Sequence, residues 1–177
     1  MASGGSHIGT LGENSLHAAL KRFLARPGDA FEVPVGGYVI DIVRGEQLIE
    51  IQTGNFAAMR RKLATLTAEH PVRVVHPIAA EKWIVKLGPD GETWLDRRKS
   101  PKQGTVFDVF RELVSFPHLL ELGNFSLEVI LTREEEVRVN DGNGSWRRRG
   151  WSIADRRLLD VVDRVVLASP ADFRALL

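Results

Sequence analysis

Hydrophobic and polar positions in the first half of the chain alternate between a helical period and a strand-like period. Leu16, Leu20, Phe23 and Leu24 recur at helical spacing before Pro27-Gly28, which predicts a first helix. Further along, the pattern predicts an edge strand at 30–35, a β-hairpin within 37–56, a helix at 55–70, and strands at 72–78 and 81–87. This order of elements predicts an α/β fold with a mixed central β-sheet flanked by helices.

The second half of the chain is less regular. Its pattern predicts helical segments at 105–116 and 117–122, a long strand at 125–139 and a helix at 153–167, and residues 93–104 form a basic segment with proline and glycine. Ser169-Pro170 predicts another helix, which is only just under way at Leu177, so we expect the natural protein to continue. We divide the chain into a flexible N-terminal arm (1–10), a core (11–88) and a C-terminal α+β extension that completes the domain (89–177).

Composition changes this picture mainly by what it excludes. A chain of 177 residues suits one domain, and a formal net charge of +1 does not by itself point to nucleic acid. The absence of cysteine excludes disulfides, thiolate zinc sites and cysteine nucleophiles. No segment is apolar enough to span a bilayer and no signal peptide is visible, so a cytoplasmic location without membrane contact is the simplest interpretation.

The hairpin carries the most informative residues of the chain. Gly45-Glu46 suits a two-residue type II′ loop, which sets Val43 opposite Leu48 and Asp41 opposite Glu50. Opposed side chains in such a ladder have Cβ atoms about 4.5–5.5 Å apart, so two carboxylates there repel each other. Gln52 follows Glu50 by two positions and is expected on the same face.

Three explanations fit two acids in an apolar hairpin. One carboxyl group has a raised pKa and stays protonated. Alternatively, a divalent cation such as Mg²⁺ or Mn²⁺, which prefers oxygen ligands, binds both, and this is the more economical account. A half-solvated hairpin whose polar face happens to carry two acids is the third, but the flanking residues are too apolar to favour it.

An acid in one strand, a Glu-x-Gln in the next and a helix after them resemble the core of the PD-(D/E)XK nuclease superfamily, in which Glu-x-Lys is usual. Asp41, Glu50 and Gln52 carry the resemblance, and Glu13 in the first helix matches an acid found in Holliday-junction-resolvase-like members. It covers residues 11–78, and the rest is similar to uncharacterised bacterial proteins. It implies a restriction endonuclease-like αβββαβ core.

The resemblance also implies an activity, namely metal-dependent hydrolysis of phosphodiester bonds in DNA. Glu13, Asp41, Glu50 and the Ile51 carbonyl would hold Mg²⁺ or Mn²⁺, and Gln52 would position the attacking water. Glutamine brings no charge, so Lys62 or Arg61 from the following helix is a candidate to supply a cation from another direction. Enzymes that cut both strands often work as dimers, so the resemblance also allows a homodimer.

Basic clusters are the second sign of nucleic acid, because clustered cations neutralise phosphates. They comprise Arg60, Arg61, Lys62; Arg97, Arg98, Lys99, Lys102; and Arg147, Arg148, Arg149 between Trp146 and Trp151. His17 and Lys21 share a helix face with Glu13 and are accessory candidates. The acidic run at 132–138 is expected to face solvent or to guard a sheet edge. A catalytically inactive nucleic-acid-binding module and a protein that docks a partner through its last helices remain alternatives.

Overall fold

The structure is a computed structural model that describes residues 15–115, 117–146 and 149–176. Seven strands form one sheet, and short helices lie on its two faces. The strands are β1 Ala30–Val35, β2 Tyr38–Arg44, β3 Gln47–Ile51, β4 Val72–Leu87, β5 Trp94–Lys99, β6 Phe125–Val139 and β7 Ser152–Leu167. The helices are α1 Ser15–Leu24, α2 Arg60–Leu66, α3 Phe110–Leu113 and α4 Pro170–Ala175, with 3₁₀ turns at Phe56–Met59, Val106–Val109 and Leu119–Glu121.

The sheet is mixed, as predicted. Its strands run in the order β1-β2-β3-β4-β6-β7, with β3-β4 and β4-β6 parallel and the other neighbours antiparallel. Strand β5 pairs antiparallel with the C-terminal part of β4 and lies on the same side of β4 as β3. The predicted α/β class with a mixed central sheet is therefore confirmed, and the segment 89–177 adds β5, β6 and β7 to that one sheet.

Each face of the sheet has its own apolar cluster. Leu16, Leu20 and Leu24 of α1 pack on one face, against Ile42, Ile49, Ile51, Val75 and Ile130. The other face is larger and packs α2, the 3₁₀ turns, α3 and α4 against Leu48, Val72, Val74, Leu127 and Val129. Burying an aliphatic side chain of this size stabilises the fold by about 1.5–3 kcal/mol. None of the helices in the described ranges has the length and apolarity to cross a membrane.

The predicted helix at 153–167 is wrong, because this segment is the edge strand β7. Its register against β6 is interrupted three times, and at one interruption Leu159 is left out of the pairing. Such β-bulges insert one extra residue, so Leu158 and Val161, three positions apart, both pack on the α1 face. Bulges therefore give this strand an apolar spacing that imitates a helix.

Other differences have similar physical causes. The strands predicted at 72–78 and 81–87 are one strand, β4, because Pro77 pairs within a parallel ladder and Ala79/Glu81 forms a bulge. The basic segment at 93–104, for which no element was predicted, holds β5, and the helices predicted at 105–122 shrink to 3₁₀ turns and the four-residue α3. The predicted helix start at Ser169 is confirmed: its side chain caps α4 in a capping box with Asp172.

The acidic run on β6 is neither exposed nor at an edge. Strand β6 lies between β4 and β7, and the side chains of Glu134 and Glu136 are buried. Arg156 pairs with Glu134, while Lys82 and Arg138 pair with Glu136. The expectation of a solvent-facing run was wrong because neighbouring strands supply a cation opposite each buried acid.

Candidate functional site

The candidate site lies at a fork in the sheet, the point where β2 and β3 separate. The predicted register is confirmed from Arg44 opposite Gln47 to Ile42 opposite Ile49, and the turn residue Gly45 has a φ of +58°. Pairing stops at Ile42, so Asp41 and Glu50 are the next residues along two diverging strands. The gap between diverging strands gives side chains and backbone amides of both strands access to the same space.

Strand β2 is also irregular on its other side, at Asp41. Its register against β1 pairs Phe31 with Ile42 and Val33 with Ile40 but omits the intervening Asp41, which faces Glu32. Glu32 has a φ of +53°, in the left-handed region that is costly for a residue other than glycine. Ile40 and Ile42 consequently pack on opposite faces of the sheet, although regular alternation would place both on one face.

Asp41 is held by α1 and by the neighbouring strand. Its Oδ2 accepts a hydrogen bond from the Ile51 amide at 2.8 Å and lies 3.2 Å from His17 Nε2. Lys21 Nζ lies 3.7 Å from Oδ1 and also pairs with Glu32. Burial opposes ionisation of Asp41, but the His17 and Ile51 hydrogen bonds outweigh it and hold its pKa below the ordinary value. Asp41 is therefore a carboxylate, and both accessory candidates, His17 and Lys21, lie beside it.

Glu50 takes its partner from the opposite side of the sheet. Lys62 of α2 places Nζ 2.7 Å from Glu50 Oε2 and 2.8 Å from the Val39 carbonyl oxygen. Burial raises the pKa of Glu50 and the negative charge of Asp41 raises it further, whereas the Lys62 ammonium and the Asp41 backbone amide oppose this shift. This direction agrees with the first of the three explanations, in which one carboxyl group has a raised pKa. The two acids do not share one plain sheet face as expected, because α1 contacts Asp41 and α2 contacts Glu50.

Gln52 is anchored to the backbone around it. Its side-chain Nε2 donates to the Asn55 carbonyl oxygen at 2.7 Å, and its own carbonyl oxygen lies 2.7 Å from His76 Nδ1. Because a carbonyl oxygen only accepts, Nδ1 of His76 carries the proton. His76 of β4 thereby fixes the backbone at the end of β3.

The two acids at the fork differ in how well they suit a divalent cation: Glu50 has an oxygen available for one, and Asp41 does not. Glu50 Oε1 is buried and has no hydrogen-bond partner among the described residues, so this oxygen lacks the partner that a cation would provide. Asp41, in contrast, already has His17 and Lys21, and a cation would have to displace one of them. Within residues 15–115, 117–146 and 149–176, no three acidic or histidine side chains converge as a metal site. Glu13 lies outside the described residues.

The basic candidates separate into two groups. Arg97 pairs with Glu135 and Lys99 with Glu81, and both cations lie over the Trp83 ring, so they are engaged within the protein. Arg60, Arg61, Arg98, Lys102 and Arg149 are exposed, whereas Arg147 and Arg148 lie outside the described residues. Lys62, named both as a phosphate contact and as a source of positive charge for the site, lies in the candidate site against Glu50.

Sequence reasoning missed a polar cavity beside the fork. It has a volume of about 330 Å³ and is lined by residues that follow β3, by the middle of β4 and by Arg156 of β7. Arg156 donates from Nη1 to the Thr53 carbonyl oxygen and from Nη2 to buried Glu134. The helix predicted at 153–167 concealed this residue, and only a strand interpretation would have placed it opposite β6.

Replacing Lys62 by methionine is expected to lower the free energy of unfolding by about 1–3 kcal/mol, because buried Glu50 would lose its counterion. Denaturant unfolding at pH 7 measures this loss. Arg61→Met is the matched control, since Arg61 is the exposed neighbour on the same helix. Equal losses in the two variants would mean that the ion pair with Glu50 does not stabilise the fold.

Acid is expected to weaken the fold through His76. Burial lowers the pKa of His76 below 6.5, so the unfolded chain binds a proton first and stability falls as the pH drops below about 6.5. His76→Asn keeps a donor near the Nδ1 position and should flatten the stability profile between pH 7 and 5. His118→Asn, at an exposed histidine, should leave the profile unchanged; a His76 variant with the wild-type slope would refute this assignment.

The fold and the site define an α/β protein with a mixed sheet in which two acids meet where two strands separate. The chain belongs to the family described as a domain of unknown function (DUF8091), whose model matches residues 14–168. It is 34% identical over 155 residues to an uncharacterized protein of Treponema pallidum (strain Nichols), an alignment that covers 87% of this chain and 61% of that protein. The chain thus spans about three fifths of this relative's length. No solved structure matches the chain.

Proposed function

We propose that this protein is a metal-dependent nuclease of the PD-(D/E)XK type that hydrolyses phosphodiester bonds in DNA in the cytoplasm. The observation that supports the proposal most is the buried Glu50 at the fork, with one carboxylate oxygen unpartnered and the charge of Asp41 near enough to raise its pKa. A protein rarely keeps a repelling pair of acids and an orphaned oxygen in its interior without a ligand for them.

Each residue has a role in this proposal. Glu50 and Asp41, with the Ile51 carbonyl and Glu13, would hold Mg²⁺ or Mn²⁺. The ion would activate a water molecule and stabilise charge on the phosphate. His17 and the Ile51 amide orient the Asp41 carboxylate. Gln52 would place the water only after releasing Asn55, because its amide group donates to that carbonyl.

Lys62 is the residue that fits the role left open by Gln52. A lysine two positions after the glutamate would reach the scissile phosphate from the strand, whereas Lys62 brings its ammonium to Glu50 from α2. A positive charge beside the metal-binding carboxylate can stabilise charge that develops during phosphodiester cleavage. The Lys62→Met variant is therefore expected to cut DNA at least about tenfold more slowly than Arg61→Met.

Labelled duplex, single-stranded, flap and four-way-junction DNA, incubated with Mg²⁺, Mn²⁺ or EDTA, tests the proposal. We expect cleavage with metal and none with EDTA, and the preferred DNA identifies the substrate structure. The same ions at millimolar concentration should raise the melting temperature, because they bind the folded state only. No cleavage of any DNA in either metal would contradict the proposal.

A second candidate, a catalytically inactive nucleic-acid-binding module, is favoured by one observation. Asp41 lies beside the His17 imidazole and the Lys21 ammonium, and Gln52 is turned towards Asn55, so part of the site is satisfied without a metal. Such a module would bind DNA equally in Mg²⁺ and in EDTA and would leave it intact. The cleavage assay therefore separates the two candidates, since each protein sample can be scored for binding and cutting together.

A further inference from the structure

The cavity beside the fork occupies a gap in the sheet. Strand β3 pairs with β4 as far as Val75, and β5 pairs with β4 only from Trp83 onward, so the stretch of β4 between them has no strand neighbour on that side. The backbone of 100–104 approaches this stretch, with Gly104 donating to the Ala79 carbonyl oxygen at 2.9 Å. The cavity opens above the gap, directly after Gln52 and Thr53.

Donors dominate the lining of the cavity. Lys82, Lys102, Arg111 and Arg156 line it, together with the acids Asp108 and Glu112. Both oxygens of Asp108 are engaged, one by the Thr105 amide and one by Arg111, and Glu112 accepts the Phe56 amide. The acids are thus largely occupied by hydrogen bonds from the protein itself.

Three of the cations that line the cavity have N–H groups that are weakly engaged or have no partner among the described residues. Lys102 is exposed and has no ion pair within the described part of the chain, and the Arg111 side chain is 76% exposed beside Asp108. Deeper, the buried Nε of Arg156 has no hydrogen-bond partner among the described residues. Surface pairs such as Arg111–Asp108 are weak, so an incoming anion with several oxygens competes well for the guanidinium.

We infer that this cavity binds a phosphate group of a nucleic-acid strand, with Lys102 and Arg111 as its main contacts. Its volume of about 330 Å³ lies at the small end of ligand sites and accommodates a single nucleotide. Its lining begins at Thr53, three residues after Glu50, so we expect a strand bound there to run towards the candidate site. The inference rests on the proposed function for the identity of the ligand, but binding at the cavity needs neither metal nor cleavage.

Binding of a six-nucleotide single-stranded DNA carrying a 3′ fluorophore, measured by anisotropy in EDTA, tests the inference. The variant K102A/R111A should bind about tenfold more weakly and reduce the salt slope by about 0.7 for each lost phosphate contact. The control R22A/R174A removes the same charge at exposed positions on α1 and α4, and should bind like the wild type. Two forms of the DNA, with a 5′-phosphate or a 5′-hydroxyl, identify the phosphate that is bound.

Each outcome is decisive for the cavity. A loss in K102A/R111A that is seen only with the 5′-phosphate assigns the cavity to a strand end, and a loss with both forms assigns it to an internal phosphodiester. Equal affinity of K102A/R111A and R22A/R174A, or no binding by the wild type, overturns the inference. Cleavage in Mg²⁺ separates this result from the proposed function: a protein that cuts DNA but shows no cavity effect refutes the cavity alone, and the reverse refutes the nuclease alone.

Discussion

Asp41→Asn is expected to reduce metal-dependent cleavage of DNA at least about a hundredfold, because a neutral amide oxygen binds a divalent cation much more weakly than a carboxylate does. The change is nearly isosteric, and an asparagine oxygen can still accept the Ile51 amide hydrogen bond, so the fold should survive. Initial rates of cleavage in Mg²⁺, measured on the DNA that the wild type prefers, give the size of the effect.

Two comparisons make the Asp41 result specific. Asp96→Asn removes the same charge from an exposed position on β5 and should cut at the wild-type rate. The increase in melting temperature that millimolar Mg²⁺ gives the wild type should shrink in Asp41→Asn. Cleavage by Asp41→Asn at a rate close to that of Asp96→Asn would remove Asp41 from the catalytic site.

Arg156→Met is expected to lower the free energy of unfolding by about 2–4 kcal/mol, because Glu134 has no exposed side-chain surface and, among the described residues, would keep only the Thr132 hydroxyl as partner. Removing one member of a buried pair costs more than removing both, since it leaves an uncompensated charge. The double variant Arg156→Met/Glu134→Gln should therefore recover most of the loss. Denaturant unfolding of the three proteins gives both values.

Arg157 is a matched control on the same strand. It pairs with Asp155 at 3.3 Å, but its side chain is half exposed, so Arg157→Met should change stability by less than about 0.5 kcal/mol. A double variant no more stable than Arg156→Met alone would show that the arginine stabilises the sheet through packing rather than through Glu134.

The hairpin was predictable because its information is local. A two-residue loop with glycine first fixes the register as far as Ile42 opposite Ile49, and Asp41 and Glu50 are the next residues beyond that pair. The partners of these acids were harder to predict from the sequence, because they come from α1 and α2 on opposite faces of the sheet. Lys62 was considered as a source of positive charge, but no spacing rule predicts that it contacts Glu50 rather than solvent.

The C-terminal strand was not predictable from its periodicity. Regular alternation of apolar and polar residues is the signal for a strand. The bulges of β7 interrupt this alternation where two apolar residues follow one another in the sequence. The buried acids of β6 were misjudged for a related reason. Their counterions come from Lys82 on β4 and Arg156 on β7, so the burial of Glu134 and Glu136 is visible only after the strands are paired.

The bulges of β7 have a consequence for the behaviour of the protein at high concentration. A sixteen-residue strand at the border of a sheet exposes backbone donors and acceptors that can recruit another chain, and this is a common start of aggregation. Bulges interrupt that template, Pro34 removes a donor from β1, and charges cover the short β5. Each border of the described sheet therefore carries its own protection against growth into larger assemblies.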